Sequence, residues 1–283
     1  MDLSKTSLGL WGDNPRKEIL TEEFFEILRD EMKFDLLAVM IDRHDKDPTF
    51  QYKPKHVEQL LKLADPGSIE IVLTTWPYPD KKQIDKQCSQ MRTLMKVGPV
   101  AGWEVDLEFN WKPHLVQGFH NLDEAGDYLV EKTKEIVQIQ DARFEMTSFT
   151  QHVENSSRAD VGPEADRLLV QAYSVNYRNN KMIGFNDMFG PGRMQKFTLD
   201  RTMTIPGIKT EKGPRLGVGL AAWRQRFAGY NPSEAMRVAL QTTLMYQPID
   251  IRWWSSKHII SIDPKRRRAN PYALDFLKTL RPD

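Results

Sequence analysis

The chain has 283 residues, with 40 Lys+Arg against 39 Asp+Glu and a formal charge of +1, a balance that gives no general pull toward nucleic acid or acidic partners. With 40% hydrophobic residues and seven Trp it can bury a large core, and its length suits one α/β barrel spanning 1–283 as a single unit. A single cysteine, Cys88, excludes an internal disulfide framework, and its setting, Lys86-Gln-Cys-Ser-Gln90, is that of an ordinary helix residue.

The opening Met1-Asp-Leu-Ser-Lys-Thr6 lacks a basic stretch followed by an apolar core, and no segment reaches 18 apolar residues. The expectation is a soluble chain without a signal peptide, made in the cytoplasm and monomeric, with no membrane or nucleic-acid partner. From there short apolar runs alternate with stretches of helical periodicity. The strand candidates are Ser7 to Trp11, Asp35 to Asp42, Ile69 to Trp76, Val100 to Glu108, Arg143 to Phe149, Leu168 to Tyr173, Arg215 to Ala221 and Ile249 to Trp254. Between them, amphipathic patterns cover Thr21 to Glu31, Lys55 to Leu63, Lys82 to Met95, Leu122 to Val137 and Pro232 to Met245. Asn176 to Thr210, rich in Gly, Asn, Met and Pro, predicts a long irregular connection. Lys265-Arg-Arg-Arg268 reads as solvated surface, and Pro271 to Leu280 as a closing helix. Eight strands with interposed helices predict an α/β fold, a single (β/α)8 TIM barrel.

In such a barrel the active site is built where the strands end, and those ends carry functional residue types. They include Trp11-Gly-Asp-Asn14, Asp42-Arg-His-Asp45, Thr74-Thr-Trp-Pro-Tyr78, Gln171-Ala-Tyr173 and Arg252-Trp-Trp-Ser255. Strand four is the most telling. Ala101-Gly-Trp-Glu-Val-Asp-Leu-Glu-Phe-Asn-Trp111 sets Glu104, Asp106 and Glu108 at alternate positions, which in a strand share one face roughly 6.5 to 7 Å apart. Mutual repulsion and burial should keep a proton on at least one of them near neutral pH, the condition for a general acid. Trp76, Trp111 and Trp254 around these acids suit a sugar, whose apolar faces flat rings cover while carboxylates and amides bond its hydroxyls. A Trp at a strand end can also simply cap the core. The six His are scattered and no metal-ligand spacing occurs; neither metal nor cofactor is expected.

Gly102-Trp-Glu-Val-Asp-Leu-Glu108 resembles the strand-four motif of family 18 glycoside hydrolases, Asp-Gly-x-Asp-x-Asp-x-Glu. The likeness extends toward the hevamine-like chitinase and lysozyme branch: Val170-Gln-Ala-Tyr173, Gly219-Leu-Ala-Ala222 and Trp254-Ser255 are similar to its motifs on strands six, seven and eight. The resemblance implies cleavage of β-1,4 links next to N-acetylated hexosamine in peptidoglycan or chitin, by the substrate-assisted retaining route. Glu108 would protonate the leaving oxygen, and the substrate's acetamide would attack the anomeric carbon. Asp106 and Tyr173 would hold that acetamide, with Glu104 as the supporting acid. Trp254 would form the sugar floor, with Gln171, Trp76, Trp11, Asp42 and Trp111 as further binding residues. The absence of an appended binding module resembles a phage-type cell-wall lysin, acting at the wall after release.

Two positions depart from the motif. Ala101 removes a buried partner from the acid relay, and Glu104 keeps a charge on a longer arm. Two alternatives stay open beside the main reading: a catalytically silent, chitinase-like sugar-binding protein, and a barrel glycosidase of another family that uses an enzyme nucleophile.

Overall fold

Eight parallel strands close on themselves in the computed structural model, which describes residues 3–13, 15–42, 51–65, 67–108, 110–148, 162–172, 175–178, 181–184, 190–204, 215–222, 229–256, 259–260 and 272–281. The barrel strands are β1 (Ser7–Gly12), β2 (Leu36–Asp42), β3 (Glu70–Thr75), β4 (Gly102–Asp106), β5 (Arg143–Ser148), β6 (Arg167–Gln171), β9 (Arg215–Ala221) and β10 (Asp250–Trp254). Their order around the barrel is β1-β10-β9-β6-β5-β4-β3-β2, and β2 returns to β1. A short antiparallel pair, β7 (Val175–Arg178) with β8 (Lys181–Gly184), stands outside it. The fold is a (β/α)8 TIM barrel.

The helices are α1 (Arg16–Ile19), α2 (Glu22–Glu26, continuing as a π turn over Ile27–Glu31), α3 (Pro54–Leu63), α4 (Lys81–Met95), α5 (Leu122–Ile139), α6 (Gly190–Thr202), α7 (Pro232–Leu244) and α8 (Ala273–Lys278). Side chains that compete with the helical backbone in mid-helix instead start several of these helices. Asp80 accepts from the Lys82 and Gln83 N–H groups, Asn121 from Glu124 N–H and Asn231 from Glu234 N–H. The irregular connection expected over Asn176 to Thr210 is corrected in part: it contains most of β7, all of β8 and α6. Glycines at 190 and 192 fit there because the first turn of a helix tolerates residues that weaken its interior.

Strand parity decides what lies inside the barrel and what faces the helices. Leu8, Leu10, Leu37, Val39, Ile71, Leu73, Trp103, Val105, Ile251 and Trp253 join the large core beneath the helices. A second, small apolar cluster of Trp11, Leu36, Ala38, Val72 and Leu169 sits on the opposite parity, in the barrel interior. That interior is not filled by apolar side chains alone. Buried Glu104, Glu145, Asp250 and Arg252 share it. At the lower end, Arg281 pairs with Asp35 at 2.7 Å and donates to the Lys33 and Thr6 carbonyls, fastening the end of the chain across the strand starts.

Candidate active site

The three acids on and just after β4 lie in three different settings. Glu104 is fully buried and both its oxygens are engaged. Oε1 accepts from Trp11 Nε1 at 2.8 Å and from Thr74 Oγ1 at 3.3 Å, and Oε2 pairs with the Arg252 guanidinium. Asp106, at the strand end, is buried too, and Gln171 Nε2 donates to its Oδ1 at 3.3 Å. Glu108 stands two residues past the strand, in a bend, and is half-buried. Burial first, then the charges of Glu108 and Glu104, push the Asp106 carboxyl well above the usual carboxylate range. A proton is therefore retained where Asp106 and Glu108 meet.

Glu104 obeys a different balance. Burial and the nearby Glu145 push it up to about 7, against the opposing pull of Arg252 and the Trp11 hydrogen bond. Beneath it lies an ionic cluster. Arg252 contacts Glu104, Glu145 and, at 2.7 Å, Asp250; Arg167 reaches Asp250 at 3.2 Å, and Arg143 reaches Glu145 at 2.9 Å. Burial would lower the Arg252 pKa, but the three carboxylates raise it instead. Burial likewise works against the Glu145 carboxylate, yet Arg252, Arg143 and Arg167 hold it below the usual range.

Glu108 is fixed through its backbone. Its N–H donates to Asn110 Oδ1 at 2.9 Å, and its carbonyl accepts from Trp111 N–H at 3.1 Å. Asn110, itself buried, donates through Nδ2 to the Pro77 carbonyl and to that of Asp106 at 3.4 Å. One side chain thus ties the loop after β3 to the turn that carries Glu108.

The expected binding residues divide. Trp254 is half-buried at the end of β10, with a cis peptide to Ser255, and meets Trp11 edge to face at 5.7 Å and 63°. Trp11 is 2% exposed and lies in the interior cluster, and Trp111 is wholly buried in the large core. Trp76 and Asp42 are half-buried, and Asp42 accepts from Gln87 Nε2 at 3.4 Å. Trp76 Nε1 and Gln171 Oε1 are buried with no hydrogen-bond partner among the described residues, a donor and an acceptor open to a polar ligand. Tyr173, expected across the mouth, lies outside the described residues, as do His44 and the Lys265–Arg268 block. No group of acids, His and Cys suited to a metal ion occurs among the described residues. A cavity of about 710 Å³, bordered by Asp35, Lys62, Glu70, Ala101 and Arg167, opens at the strand starts, the face opposite the one where barrels of this kind place their chemistry.

Reading the sequence for strand ends reached Asn110 and Arg252 without giving them a role, and missed Glu145 and Asp250. A signal was present: Arg143-x-Glu145 and Asp250-x-Arg252 place opposite charges two apart, on the same face of a buried strand.

No protein-family model and no curated protein sequence matches the chain. Several solved structures share its fold. The cellulase Cel5C_n aligns at TM-score 0.64 and 12% identity over 98% of this chain and 87% of its own. A GH18 chitinase from Pseudoalteromonas aurantia aligns at 0.56 and 11%, over 93% of this chain and 99% of its own. The xylanase and α-amylase inhibitor XAIP-II from Scadoxus multiflorus aligns at 0.55 and 11%, over 89% and 93%. At such identities the likeness establishes the barrel and nothing finer, because one barrel carries unrelated activities. No described helix is long and apolar enough to cross a membrane.

Proposed function

We propose that the protein is a glycoside hydrolase that cleaves β-1,4 linkages next to N-acetylated hexosamine, in peptidoglycan or chitin, with the acetamide of the substrate as nucleophile. The observation that carries this reading is the pair at the end of β4: a buried, proton-retaining Asp106 beside a half-buried Glu108. Glu108 donates its proton to the leaving oxygen. The proton that the pair retains sits on Glu108 for that step, which leaves Asp106, steered by Gln171, as the carboxylate that holds the acetamide and balances the charge that develops on it. The open donor on Trp76 and acceptor on Gln171 bond the sugar, and Trp254 lies under it. Tyr173 completes the acetamide pocket in this reading. The enzyme needs no metal or cofactor and works as a monomer, and its site of action is the cell wall.

Incubation with purified peptidoglycan and with chitin, followed by identification of the new reducing end, tests substrate and bond together. Two displacements at the anomeric carbon predict a β product early in turnover, observable by proton NMR. A thiazoline analogue of N-acetylglucosamine should bind roughly 10² or more times tighter than the plain sugar, since it mimics the bicyclic intermediate. Equal binding of the two by calorimetry, while hydrolysis proceeds, would move the chemistry to an enzyme carboxylate.

A second reading, a sugar-binding protein without chemistry, is favoured by Ala101 and by the engagement of Glu104 with Arg252 and Trp11. XAIP-II, named as an inhibitor, has a similar barrel. Glycan binding without new reducing ends would select it.

A further inference from the structure

The role of Glu104 follows from what surrounds it rather than from its place in the motif. Its two oxygens are occupied by Trp11, Thr74 and Arg252, which leaves neither directed at a reacting atom. Trp11, in turn, is buried below the half-exposed Trp254 and meets it edge to face. The ring is confined on its far side as well: a Cβ on Gly219 would lie 2.7 Å from Trp11 Cζ3 and 2.8 Å from Cη2. Gly219 on β9 is paired in register with Arg252 on β10, so the glycine leaves room for the ring beside the arginine that holds Glu104.

We propose that Glu104 is a positioning residue for the aromatic floor: anchored by Arg252, its carboxylate fixes Trp11, and Trp11 sets the orientation of Trp254. The inference rests on the reading of Trp254 as the surface under the sugar. It assigns Trp11 a supporting place beneath the floor instead of a contact with the glycan, and it predicts that substrate affinity is set from inside the barrel. The ionic cluster gives the clamp its rigidity. Arg252 reaches Glu145 and Asp250 from the same guanidinium that holds Glu104, so the guanidinium cannot swing away without leaving buried carboxylates unpaired.

Two variants disturb the clamp by different routes. E104Q turns an anchored carboxylate into an amide whose N–H group opposes Arg252, whereas G219A pushes the Trp11 ring without altering any charge. The pair Trp11–Trp254 should give an exciton couplet in circular dichroism, identified among the seven Trp by its loss in W254F. In E104Q and in G219A this couplet should change. The dissociation constant for a chito-oligosaccharide, measured by calorimetry, should rise about tenfold, the scale of one buried hydrogen bond. In turnover, the loss should fall more on KM than on kcat.

Unchanged binding in both variants, alongside loss in W254A, would overturn the proposal. The two levels of failure separate. Absence of glycan binding by the unaltered protein removes the reading of the site, whereas an unaltered couplet in E104Q removes the clamp itself.

Discussion

Replacing Glu108 by Gln keeps the side chain's shape and takes away its acidic proton. E108Q should fold as the parent does and lose hydrolysis of any glycan the parent cleaves, with binding retained. Normal turnover in E108Q would remove the residue from the chemistry. D106N should lower kcat by about 10² to 10⁴ with binding retained, because the amide of Asn cannot balance charge on the acetamide. Asn110 supplies a further test at this scale. N110A deletes the acceptor for Glu108 N–H and the donor to Pro77 and Asp106, which frees the turn that aims the acid. A displacement of about 1 Å can cost 10²-fold in rate, so kcat should fall by about 10- to 100-fold while glycan affinity stays close to that of the parent. A matching loss of protection at the Glu108 amide, seen by NMR hydrogen exchange, would link the two. Full activity of N110A would show that the turn holds without its tie. The pH dependence follows from Asp106. Burial, Glu108 and Glu104 raise its pKa in that order, so activity should persist through neutral pH and fall on the alkaline side as the retained proton is lost. E104Q removes one of those charges, lowers the Asp106 pKa and should move the alkaline limb of the pH–rate profile to lower pH. A limb that stays in place or moves upward would mean that Glu104 does not act on Asp106 through its charge.

At the scale of elements, the barrel was legible because each strand writes its two faces in its own sequence. Strand β9, Arg215–Ala221, coincides with its predicted limits, and β4 ends two residues before the predicted Glu108. The early end has a physical cause: Asn110 captures the Glu108 N–H that a longer strand would have spent on its neighbour. Helices α3, α4, α5 and α7 follow from apolar periodicity and from caps such as Asp80 and Asn231. Helix α6 was illegible because its Gly190-Pro-Gly192 start carries the same residues as a turn, and its weak amphipathic pattern does not correct that impression. The site divides in the same way. Asp106 and Glu108 stand in one motif and can be read locally. The partners of Glu104 come from β1, β3 and β10, and only closure of the barrel brings them together.

Across the whole molecule, the barrel interior gathers Glu104 from β4, Glu145 from β5 and Asp250 with Arg252 from β10, flanked by Arg143 and Arg167. Such a cluster is costly to bury and more costly to break, since removal of one partner leaves charge without compensation. R252M should therefore destabilise the protein by about 3–5 kcal/mol at neutral pH, measured by denaturant unfolding. Glu145 and Asp250 keep Arg167 nearby, and Glu145 keeps Arg143, so the loss should concentrate on Glu104. Its pKa, about 7 in the parent even with Arg252 beside it, should climb further once that cation is gone. A carboxyl raised in the folded state contributes stability that is present below its unfolded pKa and is lost as pH rises through the folded value. The gap between R252M and the parent should thus be widest above about pH 7 and close as the medium is acidified and Glu104 takes up its proton. The double variant R252M/E104Q needs no proton to neutralise that position, so it should recover part of the lost stability and show less of this pH dependence. A gap that stays constant with pH, or a double variant that loses the sum of the two single losses, would mean that Arg252 and Glu104 are not coupled as the buried contact requires.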